Sequence, residues 1–439
     1  MKIHFIGLGG IGMSGIAKIS AVRGDLVSGS DQSPCEFPGA AVGHDAANLP
    51  SGVELVVRSA AIKDDNVEVV EARKRKIPVI KYAEMLGRLT REKSTIAVSG
   101  CHGKTTTTSM ISYLLSRAGF EPSYVCGGVI SQLGSNAAPG AGKHLVVEAC
   151  EYDRSFLSLS PSCAVITNIE EDHLDYYKDI DEIVGAFRDF AQRSSGPVIG
   201  SLDNARSGSL LSELKGKGES FSIEKDADWR ARNIEVVGGR WSFDLLKYGR
   251  PYGRYTLGVA GDHNVSNALA AIAACTWAGA GQDVLQAALA DFGGAARRFQ
   301  KLGEKQGTLV IDDYGHHPTE VQATLRAAKE RYPDRKIWCV FQPHQTSRTR
   351  IFMKDFARSF ADASVVLLPE IYEARPSGEK KVSSADLAQA ISDHGKAALF
   401  LPTFDAVVAF LKEKATPDCL ILTMGAGNVD QIARRFLAE

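Results

Sequence analysis

The segment from Ser94 to Ala118 constrains this chain more than any other. An apolar run of strand length, STIAVSG, passes through Ser99-Gly100-Cys101-His102-Gly103-Lys104-Thr105 into a helical pattern. Such a loop works where a parallel strand feeds a helix. Its glycines expose N–H donors to phosphate oxygens, and the helix N-terminus adds unpaired donors. Lys104 can neutralise charge on the β- and γ-phosphates, and the Thr105 hydroxyl suits Mg²⁺. The loop departs from a full Walker A sequence, because Val98 stands at the first glycine position. The reading is a nucleoside triphosphate site touched by Gly100, Gly103, Lys104, Thr105 and Thr106.

Strand-like runs alternate with helical patterns over nearly all 439 residues, which predicts an α/β fold with mostly parallel sheets. Three stretches each begin afresh with a strand and a ligand-type loop, giving expected domains at 1–92, 93–296 and 297–439. The first opens with KIHFIG and a glycine loop. The second carries the phosphate loop, then HLVVEAC and CAVITNI. Strand patterns and turn glycines between Gly216 and Gly258 predict an antiparallel excursion. The third holds GTLVIDDY, KIWCVFQ, SVVLLPEIY and CLILTMGAG, the pattern of a small doubly wound domain.

Gly7, Gly9 and Gly12 form G-x-G-x-x-G after the first strand, and Asp31 closes the second. Alone, this arrangement fits an NAD-dependent dehydrogenase. The fingerprint reports a pyrophosphate, however, and a UDP-sugar carries one too. A dehydrogenase has no use for Gly103-Lys104-Thr105. Glu148 and His173 each follow an apolar strand, at the sheet edge where ligands bind in open α/β folds. They suit metal ligation, while a structural ion pair and a loop histidine are the plainer alternatives.

Other features exclude rather than assign. A formal net charge of −1 gives no push toward nucleic acid or membrane. The basic run Arg73–Lys76 reads as a solvated helix end. Eight cysteines without a C-x-x-C pair fit reduced thiols in a cytoplasmic enzyme. No apolar stretch reaches membrane-spanning length.

Nine stretches in register complete the pattern: HFIGLGGIGMSGIA, SGCHGKTTT, VVEACEYDRSFL, VITNIEEDHLDYY, GDHNVSNALAAIAA, RRFQKLGE, DDYGHHPTE, FQPHQTSRTR and TMGAGNV. Together they resemble the Mur ligase family of peptidoglycan synthesis, over essentially the whole chain. The resemblance implies three domains: a Rossmann-like N-terminal one, a P-loop central ATPase and a Rossmann-like C-terminal one. It implies ATP-dependent joining of L-alanine to UDP-N-acetylmuramate through an acyl phosphate, with Mg²⁺ or Mn²⁺ as the metal. The murein tripeptide ligase of the same family is the alternative. A monomer or homodimer is expected.

The resemblance also assigns residues. Gly9, Gly10 and Gly12 face the diphosphate, with Asp31 and Ser59 toward the uridine part. Lys104, Thr105, Glu148 and His173 hold ATP and metal, and Asn264 and Asn267 match an adenine-side motif. Arg298 and Asp313 reach the nucleotide, while His316 and Arg348 face the amino acid. Lys104, His316 and Arg348 are the expected catalytic set. Cys101, Cys150 and Gln345 depart from the family pattern. Cys101, beside Lys104 and ahead of a helix, has the surroundings of a reactive thiolate that ATP would protect, while a small inert loop residue is the plainer alternative.

Overall fold

The computed structural model describes residues 1–35, 37–174, 176–373 and 382–438. The chain forms two compact units. One holds residues 1–230, 245–253 and 267–289; the other holds 231–244, 254–266 and 290–439.

The first unit begins with a five-stranded parallel sheet. Its order is Ala41–Val42, Leu26–Asp31, Lys2–Ile6, Leu55–Arg58 and Val79–Lys81. Near-continuous apolar runs such as IHFI and LVV suit strands covered on both faces. The second sheet is centred on Ser94–Ser99, which pairs in parallel with Cys163–Ile166 and with His144–Glu148. Beyond His144–Glu148 lie Ser123–Ile130 and then Ser135–Ala138. On the other side follow Val198–Ser201 and Gly218–Ser222, whose Phe221 and Ser222 pair with Trp229 and Arg230. The expected antiparallel excursion starts otherwise: Gly218–Ser222 pairs in parallel with both of its neighbours.

One apolar core serves both sheets of this unit, joining Phe5 and Val57 to Ala97, Val147 and Phe187. The helix Ile11–Val22 packs on Ser123–Ile130 and Ser135–Ala138. That approach is close. A Cβ on Gly15 would sit 2.7 Å from the Ala137 methyl, and Asn136 Nδ2 donates to Ile11 O at 2.7 Å. Hence the two glycine loops are built on one shared body of packing.

After Lys104, the helix Lys104–Arg117 runs through four consecutive threonines, a weak helix former through its β-branch. Burial overrides propensity, since every residue from Thr105 to Leu115 is buried. Ser109 and Ser112 satisfy their hydroxyls by donating to Thr105 O and Thr108 O, each at 2.7 Å.

The second unit carries a six-stranded sheet in the order Gln300–Lys305, Thr308–Asp313, Cys419–Met424, Lys336–Phe341, Val365–Leu368 and Ala398–Phe400. It is parallel except at the Gln300–Lys305 edge. Val310, Val340, Leu367 and Ile421 form its core with Val407 and Ile432. The α/β class expected from the sequence is the class observed. Among the described residues, no helix is long and apolar enough to cross a membrane.

Candidate active site

The phosphate loop is held from outside as well as by its own glycines. Gly100 and Gly103 have φ of 138° and 80°, in the region that favours glycine. A Cβ on Gly100 would strike the Thr167 hydroxyl, and one on Gly103 would strike the Asn267 side chain. Asn168 Oδ1 accepts from His102 N at 2.9 Å, while Asn168 Nδ2 donates to His102 O at 3.0 Å. The helix that follows has no side-chain cap. A helix N-terminus of this kind directs backbone N–H groups at an anion. Thr105 and Thr106 are buried in that first turn.

Lys104 Nζ has three protein partners. It donates to the carbonyls of Gly100 and Cys101 and, at 2.9 Å, to Glu151 Oε1. Burial alone would lower the Lys104 ammonium, but the Glu151 charge outweighs it and raises it above the usual lysine range. In return, burial pushes the Glu151 carboxyl up, while Lys104 and then His173 pull it net below its ordinary value.

Glu148 ends its strand. Its Oε1 accepts from the Thr105 hydroxyl at 3.0 Å and its Oε2 from Gly127 N at 2.7 Å. His173 lies elsewhere in the cluster, with Nε2 3.5 Å from Glu151 Oε1 and 3.8 Å from Asp172 Oδ2. Glu151, Asp172 and His173 each offer a ligand atom within 4.8 Å of the others. Oxygen-rich donors of this kind fit a hard divalent cation. The metal residues read from the sequence therefore fall into two neighbouring groups: Thr105 with Glu148, and His173 with Glu151 and Asp172.

The first glycine loop is tied to Asp31, whose Oδ2 accepts from Gly9 N at 2.8 Å and whose Oδ1 accepts from Ser33 N at 3.1 Å. Ser59 lies against Gly7, and Tyr82 against Gly12. A pocket of about 330 Å³ runs from Gly10 and Gly12 past Ser59 and Tyr82 to Glu148 and Cys150.

In the second unit, His316 and Arg348 come together through His344. Arg348 Nη1 lies 3.2 Å from His344 Nδ1, and the His316 and His344 rings are 5.8 Å apart. The Arg298 guanidinium lies over the Tyr314 ring at 5.0 Å. Asp313 is buried, and its oxygens accept from Gly315 N at 2.7 Å and Phe299 N at 2.8 Å. It thereby braces the turn carrying Arg298. Asn264 Nδ2 donates to Ala260 O at 2.6 Å.

Glu151, Asp172 and His344 escaped the sequence reading. Glu151 lies three positions after Glu148 in a segment rich in acids, and nothing local marks which of them turns inward. His344 sits beside Gln345 without a spacing signal. One expectation is overturned. Cys101 is buried, and its Sγ donates to Glu170 O at 3.2 Å. Burial, then the Glu151 and Asp172 carboxylates, push this thiol well above its ordinary range, outweighing Lys104. A low-pKa, readily alkylated thiolate is not what the fold builds at this position.

A phosphate cradle with a half-buried lysine, beside carboxylates suited to a divalent cation, defines an α/β enzyme that handles phosphoryl groups. Comparison with known proteins is specific. The Mur ligase family catalytic domain matches residues 2–94, the Mur ligase middle domain 98–275, and the Mur ligase glutamate ligase domain 297–427. The UDP-N-acetylmuramate–L-alanine ligase of Caldanaerobacter subterraneus is 41% identical, over 100% of this chain and 97% of its own. That of Geobacter sulfurreducens is 43% identical over the same shares. The crystal structure of UDP-N-acetylmuramate–alanine ligase from Thermotoga maritima matches with a TM-score of 0.85 at 29% identity, covering 100% of this chain and 98% of that one. A murein peptide ligase from Psychrobacter arcticus matches with a TM-score of 0.70 at 25% identity, over the same shares. The chain belongs to the Mur ligase family and is an ATP-dependent ligase.

Proposed function

We propose that the chain joins L-alanine to UDP-N-acetylmuramate, with cleavage of ATP to ADP and phosphate, in the cytoplasm. The observation that carries this reading is the pocket from the Gly10–Gly12 loop to Glu148. It fits a substrate with a diphosphate at one end and a reacting group at the other. Full-length likeness to alanine ligases supports alanine over a tripeptide as the second substrate.

A carboxylate resists an amine because its oxygen leaves poorly. Transfer of the terminal phosphoryl of ATP to the lactyl carboxylate removes that obstacle. Two anions must meet, so charge neutralisation dominates catalysis. Lys104 supplies positive charge, and the Gly100–Thr106 loop supplies N–H donors. Thr105, Glu148 and His173 would hold Mg²⁺, which offsets phosphoryl charge when bound. Gly9, Gly10, Gly12, Asp31 and Ser59 take the UDP part. Asn264, Asn267 and Arg298 act on the nucleotide side, with Asp313 bracing Arg298. In our assignment Arg348 pairs with the alanine carboxylate, where its planar fork suits the geometry. His316 orients the amine or accepts its proton before attack on the acyl phosphate.

The test is an amino-acid panel assayed with Mg-ATP and UDP-N-acetylmuramate, following phosphate release and product mass. Release that requires the UDP-sugar together with L-alanine is the expected result. Release only with a tripeptide would reassign the second substrate. No release with any acceptor would overturn the reading.

A further inference from the structure

The Glu151 carboxylate has a role that the ligase reading leaves unused. It is 1% exposed, and a buried carboxylate must be neutralised by a partner or a metal. Its Oε1 holds Lys104 Nζ at 2.9 Å. Its Oε2 is buried and has no hydrogen-bonding partner among the described residues. The carboxylate sits beside Asp172 and His173, in the group whose ligand atoms lie within 4.8 Å of one another.

Its position is enforced. Tyr177 donates its hydroxyl proton to Glu151 O. The next turn holds Asp153 and Arg154 at φ of 53° and 52°, a conformation that persists only where surroundings impose it. Lys81 pairs with Asp153 at 2.8 Å and Arg154 with Glu182 at 2.6 Å.

Lys104 meanwhile directs its donors at three protein oxygens, those of Gly100, Cys101 and Glu151. An ammonium has three donors in all. To reach a phosphate it must give up a contact, and Glu151 is the only charged partner among the three. A carboxylate abandoned by its cation inside the protein is costly, so a second cation must replace Lys104. The group of Glu151, Asp172 and His173, with His173 Nε2 3.5 Å from Glu151 Oε1 and a spare buried oxygen on Glu151, marks where it would bind.

We propose that Glu151 makes the binding of nucleotide and of divalent cation conditional on each other, because Lys104 can leave it for a phosphate only when a metal beside Asp172 and His173 takes over its charge. The inference rests on the ATP-dependent reading of the site. It adds a residue that couples two ligands, acting through Lys104 and the metal. No bond to the substrate is required of it.

The experiment is calorimetric titration of the full chain with adenylyl imidodiphosphate, a non-hydrolysable ATP analogue, in excess Mg²⁺ and in EDTA. The ratio of the two affinities measures the coupling. Glu151→Gln should tighten binding in EDTA relative to the unaltered chain and lower the ratio about tenfold or more, within the usual span of such couplings. Glu151→Asp, which keeps the charge, should retain most of the ratio. Asp172→Asn should lower it in the same direction, and it serves as the test if Glu151→Gln does not fold by its melting curve. A Glu151→Gln chain that binds weaker by the same factor in both conditions has lost structure alone, and the proposal falls. An unchanged ratio in the folded variants overturns it equally. Failure of the unaltered chain to bind the analogue under either condition overturns the ATP reading as well, whereas an unchanged ratio leaves that reading standing.

Discussion

At the scale of single residues, burial decides what an acid does. Glu68 is fully buried in the first unit. Its Oε2 accepts from Ser30 at 2.7 Å and meets His4 Nε2 at 3.0 Å, while its Oε1 accepts from Asn48 at 3.0 Å. Burial raises this carboxyl, but His4, Asn48 and Ser30 together bring it down to about 2 from an ordinary 4.5. A depressed acid stabilises the fold above its unfolded value and loses that contribution as pH falls through the folded one. Glu68 should therefore contribute about 3 kcal/mol at neutral pH, lost between about pH 4.5 and 2. Glu68→Gln should flatten the acid limb of a stability–pH profile in that window; an unaltered limb would show that the carboxylate is not so held. The sequence gives no warning of this. Glu68 and Glu71 stand on one short helix, VEVVEARK, yet only Glu68 lies among those partners. The same ambiguity hid Glu151 behind Glu148.

At the scale of elements, close approach outranks intrinsic propensity. The helix Tyr82–Thr90 contains Gly87, and a helix-interior glycine costs about 1 kcal/mol relative to alanine. Propensity alone would make Gly87→Ala stabilising. However, a Cβ there would run into the backbone carbonyl of Ser158, which cannot rotate aside as a side chain can. Overpacking of this kind costs about 1–3 kcal/mol and should win. A lower urea midpoint is expected, and a raised one would mean that helix and turn do not meet so closely. The contact bears on function, because Ser158 ends the Tyr152–Ser158 turn that follows Glu151. Strands, helices and both glycine loops were legible, since each has a local period or spacing. The parallel pairing of Gly218–Ser222 was not, because direction is set by the strands alongside.

At the scale of the whole molecule, separate cores predict separate unfolding. The first unit is organised around Phe5, Ala97 and Val147, the second around Val310, Val340 and Ile421. Scanning calorimetry should give a calorimetric enthalpy larger than the van 't Hoff enthalpy. Mg²⁺ with adenylyl imidodiphosphate should raise the transition of the unit that carries Lys104, by about 2.7 kcal/mol at a hundredfold excess over Kd. One two-state transition would show that the units unfold as a single body. What the sequence determined was the α/β class and the chemistry of its two loops, because glycine spacing, strand runs and Gly-Lys-Thr act over a few neighbouring residues. The tertiary structure alone decided that Lys104 pairs with Glu151, that Thr105 meets Glu148 while His173 lies with Asp172, and that Cys101 is buried. Those outcomes depend on which side chains are withdrawn from water together, and desolvation is set by segments distant along the chain.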